Sequence, residues 1–169
     1  NAMINAADGK TVVTKEYLQN TIGTLDQAYD FGGAGNGKTI TADAGAVTIN
    51  GTDGFVSRGT AGVGAIMPSG SGTRMVWNPR KGAFRVGQAS GTSWDDVNVG
   101  SNSVAMGFGT KASGSTSIAL GSNCVALGLG SVAIGWTSNA NATQSTAIGI
   151  ANNANSLNST ALGYSTITG

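Results

Sequence analysis

The five residues SVAMG at 103–107 return five more times in the second half of the chain. The later copies read SIALG at 117–121, CVALG at 124–128, SVAIG at 131–135, STAIG at 145–149 and STALG at 159–163. Alanine stands at every seventh position from 105 to 161, nine times in succession. A period kept this long without a slip indicates a repeat architecture.

A seven-residue period is also typical of coiled coils, but the residue types here argue against one. A glycine follows the alanine by two positions in most heptads, and each glycine costs a helix about 1 kcal/mol relative to alanine. The bulky residues stand directly before and after the alanine, a spacing of two that places them on one face of a strand. Each heptad is therefore predicted to form one short strand and one turn.

The residues that flank the alanine differ between alternate heptads. They are apolar in one set, as at Ile118 and Leu120, and mostly polar in the other, as at Asn139 and Asn141. The structural unit is therefore predicted to be 14 residues with two strands. Such units, stacked at ~4.8 Å, give a flattened all-β roll with two parallel sheets and a thin interior that only serine, alanine and glycine fit.

The apolar sheet of this roll is predicted to face outward. Soluble monomers rarely leave so large an apolar surface uncovered, so we expect self-association about an axis with the apolar sheets inward. The residues expected at this interface are Val104, Met106, Ile118, Leu120, Val132, Ile134, Ile148 and Leu162.

In the form SVAMGxxTxASGxxSIALG, the repeats over 97–169 resemble the YadA-type head repeats of trimeric autotransporter adhesins. Similar repeats occur in trimeric tail fibres of phages and phage-like particles. The resemblance implies a left-handed parallel β-roll, a homotrimer and a role in adhesion. It places the fibre outside the cell, attached to the outer membrane, or on a virion or particle tail. The stretch 72–100 also resembles modules that precede such repeats in fibre and bacterial surface proteins.

Composition narrows the function further. The chain has no histidine and one cysteine, so we expect no enzyme activity, no cofactor and no metal site. A net charge of +1 argues against a nucleic-acid partner, and without a run of 18 apolar residues this segment is not expected to enter a membrane. The prediction is an adhesive fibre segment that binds a host or prey surface, glycan or protein. Two alternatives stay open: the receptor-binding tail fibre of a phage or contractile injection particle, and a monomeric glycan- or ice-binding solenoid.

The first half of the chain is less regular. Residues 1–3 are interpreted as a tag remnant, 4–37 as a helical or extended lead-in with a glycine-rich linker, and 38–96 as a β-rich module before the roll at 97–169. The lead-in has a short apolar seam at Leu18, Ile22, Leu25 and Tyr29. Residues 32–39 match the P-loop pattern, but a strand pattern rather than a helix follows, which favours a linker. Strands are predicted within 38–57, and a hairpin at 73–77 and 83–86.

Several side chains outside the repeat pattern are candidate ligand or partner contacts. The alternative for the charged and aromatic residues of 74–96 is that the charges pair with Asp95 and Asp96 while the aromatic rings form a small core. Cys124 takes the serine position of its heptad, which predicts a buried, unreactive thiol. The candidate contacts are Arg74, Trp77, Arg80, Trp94, Val125, Leu127 and Trp136.

Overall fold

The computed structural model describes residues 45–169. The chain divides into two compact units, residues 1–55 and 56–169. The predicted helix at 14–31, the P-loop-like stretch and the start of the predicted 38–57 strands lie outside the described residues. Residues 45–57 contain no strand, so that part of the prediction is wrong. Val47, Ile49 and Phe55 are exposed there, and an apolar alternation without a neighbouring strand has no ladder to join.

The second unit is an all-β parallel solenoid with two sheets, as predicted. The larger sheet contains β1 (Gly72–Asn78), β2 (Ala83–Ala89), β3 (Val104–Phe108), β5 (Ile118–Ser122), β7 (Val132–Trp136), β9 (Thr146–Ile150) and β11 (Thr160–Tyr164). The smaller sheet contains β4 (Lys111–Ala112), β6 (Val125–Ala126), β8 (Asn139–Ala140), β10 (Asn153–Ala154) and β12 (Ile167–Thr168). The one helical element among the described residues is a 3-10 turn, Asp96–Asn98. No helix in the described part of the chain has the length and apolar character to cross a bilayer.

The register confirms the 14-residue repeat. Ala105 pairs with Ala119 and Ala119 with Ala133, and the glycines two positions later pair in the same way. The alanines of both sheets are completely buried and together form the core of the roll. Because an alanine side chain is so small, the two sheets approach closely wherever the alanines pack together.

The predicted hairpin forms, and it continues the larger sheet. β1 and β2 are antiparallel, and β2 then pairs in parallel with β3, so that Phe84 stands beside Val104. The strands predicted for a separate upstream module thus add two strands to the sheet of the roll. The turn between them contains Pro79, whose fixed φ suits that position.

One backbone feature repeats once in every heptad. The residue three positions before each central alanine, from Asn102 onward, has a positive φ near 50° to 63°, and so does the equivalent Ser165 before Thr168. Only two of these ten positions are glycine, Gly109 and Gly130. Each such residue reverses the chain at the edge of the roll. Because residues with a side chain rarely adopt this conformation, the ladders on either side must hold it in place.

The buried serines of the roll hydrogen-bond locally. The Ser117 hydroxyl donates to the Gly114 carbonyl at 2.7 Å, and the Ser145 hydroxyl donates to the Ala142 carbonyl at 2.7 Å. In the coil between them, the Ser131 hydroxyl is equally buried but has no hydrogen-bond partner. These two hydroxyls are satisfied within their own turns, whereas the Ser138 hydroxyl donates to the Gly149 carbonyl at 3.1 Å.

We therefore expect opposite results from two substitutions in neighbouring coils. Ser117→Ala removes a buried hydrogen bond and should lower the free energy of unfolding by about 1 kcal/mol. Ser131→Ala removes an unpaired buried hydroxyl and should leave that free energy unchanged or raise it slightly. Denaturant unfolding followed by circular dichroism measures both. Equal losses in the two variants would contradict the assignment.

Candidate functional site

The outer face of the larger sheet carries three parallel columns of side chains. Pairing extends every column across all seven strands, from the hairpin to the last coil. Column A contains Trp77, Phe84, Val104, Ile118, Val132, Thr146 and Thr160. Column B contains Met75, Val86, Met106, Leu120, Ile134, Ile148 and Leu162. Column C contains Thr73, Gln88, Phe108, Ser122, Trp136, Ile150 and Tyr164.

This face is apolar and open to solvent in the single chain. Its side chains range from half-buried, as at Ile134, to 72% exposed at Met75 and 76% exposed at Tyr164. With seven strands at ~4.8 Å and strands of at least five residues, the face measures roughly 13 Å by 29 Å. That is as large as the largest patches on typical monomers, which are often functional.

The eight residues predicted for the interface all lie on this face, in columns A and B. Column C was not predicted from the sequence, nor was the place of the two hairpin strands on this face. Trp136, a candidate ligand or partner contact, is the last residue of β7 and lies in register with Ile150. The sequence does carry a signal for column C. Phe108, Trp136, Ile150 and Tyr164 recur at multiples of 14 residues, each directly after the glycine of its coil.

The smaller sheet presents polar side chains to solvent. The Asn139 amide donates to the Asn153 side-chain oxygen at 2.9 Å, and the Asn141 amide donates to the Asn155 side-chain oxygen at 2.7 Å. Both ladders run along the stack, and within each ladder the two asparagines are one coil apart. They leave further amide donors and acceptors directed to solvent, a surface suited to hydroxyl groups or peptide backbone.

Val125 and Leu127 interrupt this polar surface. Val125 is half-buried and Leu127 is 43% exposed, next to Leu129 at 55%. Their assignment as ligand or partner contacts stays a prediction. Cys124, by contrast, is completely buried, and burial raises the pKa of its thiol. The thiol donates weakly to the Ser122 carbonyl at 3.7 Å.

The end of the roll next to the hairpin is closed by two large side chains. Arg85 stands in the register of Ala105, points into the interior and is completely buried. Its guanidinium donates to the Ser103 carbonyl at 2.9 Å, the Ser103 hydroxyl at 2.7 Å and the Ala112 carbonyl at 2.9 Å. Burial lowers the pKa of Arg85 to about 10, so the group remains charged at neutral pH.

Trp94 is the second side chain that closes this end. It is completely buried, and its indole N–H donates to the Thr110 carbonyl at 2.8 Å. The prediction that Trp94 contacts a ligand is therefore wrong, because its ring is not accessible. The guanidinium of Arg74 lies 5.9 Å from the centre of the ring and donates to the Gly70 carbonyl. Trp77, in contrast, is 43% exposed on the outer face.

The alternative interpretation holds in part: two basic side chains of this segment pair with Asp96, whereas Arg74 and Arg85 donate to backbone carbonyls. Arg80 forms an ion pair with Asp96, and the Lys81 ammonium lies 3.3 Å from the second Asp96 oxygen. The hydrogen bond from Arg80, helped by Lys81, holds the pKa of the Asp96 carboxyl below its usual range. The guanidinium of Arg80 is thus already engaged, although its role as a ligand contact stays a prediction.

This ion pair gives a pH dependence. Because the folded-state pKa of Asp96 is lower than the unfolded one, the stabilisation is complete above the unfolded value, near 4, and is lost as the pH falls through the folded value. We expect Asp96→Asn to lower the free energy of unfolding at pH 7 by at most about 1 kcal/mol, since the pair is partly exposed. The difference from the unchanged chain should shrink as the pH falls below the unfolded value and disappear once Asp96 is protonated in the folded chain. Unfolding curves from pH 2 to 7 measure it, with Asp53→Asn as an exposed control; a constant difference would contradict the assignment.

A shallow apolar cavity of about 300 Å³ lies beside β1. Val63, Ile66, Val76, Trp77 and Pro79 are among its lining residues. Ligand sites normally add a few convergent polar groups to such a lining. The charged residue at this cavity, Arg80, is the one held by Asp96. Among residues 45–169, no three histidine, cysteine or acidic side chains lie close enough to hold a metal ion.

Comparison with known proteins gives one family. The YadA head domain repeat matches residues 99–123, 126–149 and 140–166. No curated protein and no solved structure gives a significant match. The matched ranges cover β3 to β11 and most of both sheets, which is the part of the chain in which the 14-residue register holds. The chain therefore carries YadA head repeats over residues 99–166.

Proposed function

We propose that the chain is an adhesive segment of a homotrimeric fibre outside the cell, which binds a glycan or protein on a host or prey surface without catalysis. The observation that carries the proposal is the run of YadA head repeats, a family of adhesive head domains. The uncovered apolar face supports the trimer, and the amide-rich smaller sheet supports the binding role.

The trimer follows from the outer face. Columns A and B hold the eight interface residues in continuous register over five coils. A flat apolar face on a straight roll is covered when three copies pack around an axis parallel to the roll. The polar smaller sheets then face outward on three sides, where they meet a target.

The ligand class follows from the outward surface. The last acidic residue of the chain is Asp96, and Lys111 is the one charged residue after it. The smaller sheet instead offers the side-chain amides of Asn139, Asn141, Asn153 and Asn155. Such groups hydrogen-bond neutral sugars or peptide backbone, whereas polyanions are bound by clustered lysine and arginine.

The experiment is a binding screen of the labelled trimer on immobilised glycans, surface proteins and intact cells. We expect saturable binding to at least one such surface. Asn141→Arg combined with Asn155→Arg should reduce that binding at least tenfold, because it replaces one amide ladder by two long charged side chains. Ser69→Arg, an exposed change outside the roll, is the control. A folded trimer that binds no surface, or binds equally with both ladder residues changed, would contradict the proposal.

A further inference from the structure

The parallel strands of the larger sheet begin along one side of the sheet, the entry edge, and end along the other, the exit edge. Two coils carry large exposed apolar side chains at both edges. At the entry edge, the turn before each strand contributes one outward residue: Ser101, Ser115, Leu129, Thr143 and Leu157. At the exit edge, the last residue of each strand belongs to column C: Phe108, Ser122, Trp136, Ile150 and Tyr164.

Each entry-edge residue precedes its exit-edge counterpart by seven residues and lies in the same coil. Leu129 is matched with Trp136, and both are exposed, at 55% and 56%. Leu157 is matched with Tyr164, at 65% and 76%. The coil that contains β5 is polar at both edges, with Ser115 at the entry edge and Ser122 at the exit edge.

The remaining two coils complete the comparison. Thr143 is matched with Ile150, which is 39% exposed. The first coil departs from the pattern, because Ser101 stands opposite Phe108. Thr143 and Ile150 also differ in polarity, so three of the five coils match at edges that face away from each other, and both exposed leucines of the entry edge are matched with an aromatic residue.

Matched residues cannot contact each other within one chain. Leu129 and Trp136 lie at opposite ends of β7, and the strand between them is four residue steps long, about 13 Å. Their agreement in polarity therefore has no explanation in the folding of a single chain. An apolar pair with no partner in its own chain indicates a partner in a second copy.

We infer that the entry edge of one chain packs against the exit edge of its neighbour, so that Leu129 contacts the neighbour's Trp136 at each corner of the trimer. The inference rests on the proposed trimer. Three-fold rotation joins unlike surfaces, so the entry edge of one copy meets the exit edge of the next. Rotation about an axis parallel to the stack does not change the height of a coil, so residues of the same coil meet.

Leu127 fits the same contact. It lies two residues before Leu129, at the point where the smaller sheet turns towards the entry edge, and it is 43% exposed. The Trp136 ring is large enough to cover both leucines. This accounts for an apolar residue on the polar sheet at the one coil whose exit edge carries a tryptophan.

The test is chemical cross-linking of paired thiols in the full chain. Leu129→Cys and Trp136→Cys are combined in a Cys124→Ser background, which restores the serine of the repeat. A short bis-maleimide is then added to the native protein. Because each chain has one thiol at each of two corners, we expect most of the protein to migrate as a covalent trimer on a denaturing gel.

Two controls separate the corner contact from other causes. Each single cysteine variant should remain largely uncross-linked, since copies of one edge never meet. The mismatched pair Phe108→Cys with Leu157→Cys is separated by four coils, or about 19 Å along the axis, and should give no trimer band. Circular dichroism confirms that each variant folds.

The outcomes distinguish the two proposals. Light scattering of the untreated variant reports the trimer itself. A trimer in which the matched pair gives no more cross-linking than the mismatched pair overturns the corner contact and leaves the proposed function standing. A monomer overturns both. A covalent trimer from the matched pair alone supports the corner contact.

Discussion

Replacing Gly135 by alanine will severely destabilise the roll, because the new Cβ would lie 1.9 Å from the Gly149 carbonyl oxygen of the next coil. It would also lie 2.9 Å from the carbonyl carbon of the same residue. No side-chain rotation relieves a clash with backbone, so β7 and β9 would have to separate. We expect a loss of at least about 4 kcal/mol in the free energy of unfolding, more than an ordinary overpacked core side chain costs.

The chain contains a matched control for this substitution. Gly163 ends the same glycine stack and has a similar φ of 113°, against 121° at Gly135. A Cβ at Gly163 would meet nothing closer than the Thr166 hydroxyl at 3.8 Å. Gly163→Ala therefore reports the backbone strain alone, which we expect to cost about 1 to 2 kcal/mol. Thermal and denaturant unfolding at equal protein concentration compare the two, and equal losses would show that stacking is not the constraint.

The second large effect is expected at Arg85. Arg85→Ala empties the end of the thin interior and removes its charge-assisted hydrogen bonds to Ser103 and Ala112. We expect the free energy of unfolding to fall by about 3 kcal/mol, the range for a large buried side chain cut back to alanine. Denaturant unfolding measures this loss, and limited proteolysis of the variant should cleave first at the hairpin.

Arg85→Met separates volume from charge. Both carbonyls keep a backbone partner, since Phe84 N–H donates to Ser103 at 3.0 Å and Gly100 N–H donates to Ala112 at 2.9 Å. Methionine fills most of the space without a buried charge, so we expect it to recover at least half of the loss. A methionine variant as unstable as the alanine variant would show that the hydrogen bonds, rather than the filled space, stabilise this end.

The roll can be predicted from the sequence because small residues recur at a fixed spacing. A buried alanine at every seventh position, with serine two before it, leaves one arrangement of strands and turns. The apolar and polar alternation then assigns each strand to one of two sheets. The positive-φ position is different: Thr116, Ala151 and Gln144 share no chemistry, and only their constant distance from the alanine marks it.

The hairpin and its buried arginine are harder to predict. Arg85 lies in a basic segment and so resembles a surface residue. Ala83 and Gly87, two positions to either side, nevertheless mark a small-residue face. What could not be deduced locally is that β2 joins β3 in parallel. That pairing depends on a connection of fourteen residues, within which Trp94 fills the space at the end of the roll. Residues 45–57 show the opposite case. Their sequence has strand propensity, but they have no partner strand and form no strand.

The central claim is that the outer face of the larger sheet is covered by two further copies of the chain. Size-exclusion chromatography with multi-angle light scattering tests it most directly, on the unchanged chain and on the Leu120→Asp, Ile134→Asp variant. We predict the mass of three chains for the first and a shift to monomer or loss of folding for the second. A folded single chain at micromolar concentration, with Leu120 and Ile134 open to solvent, would contradict the account.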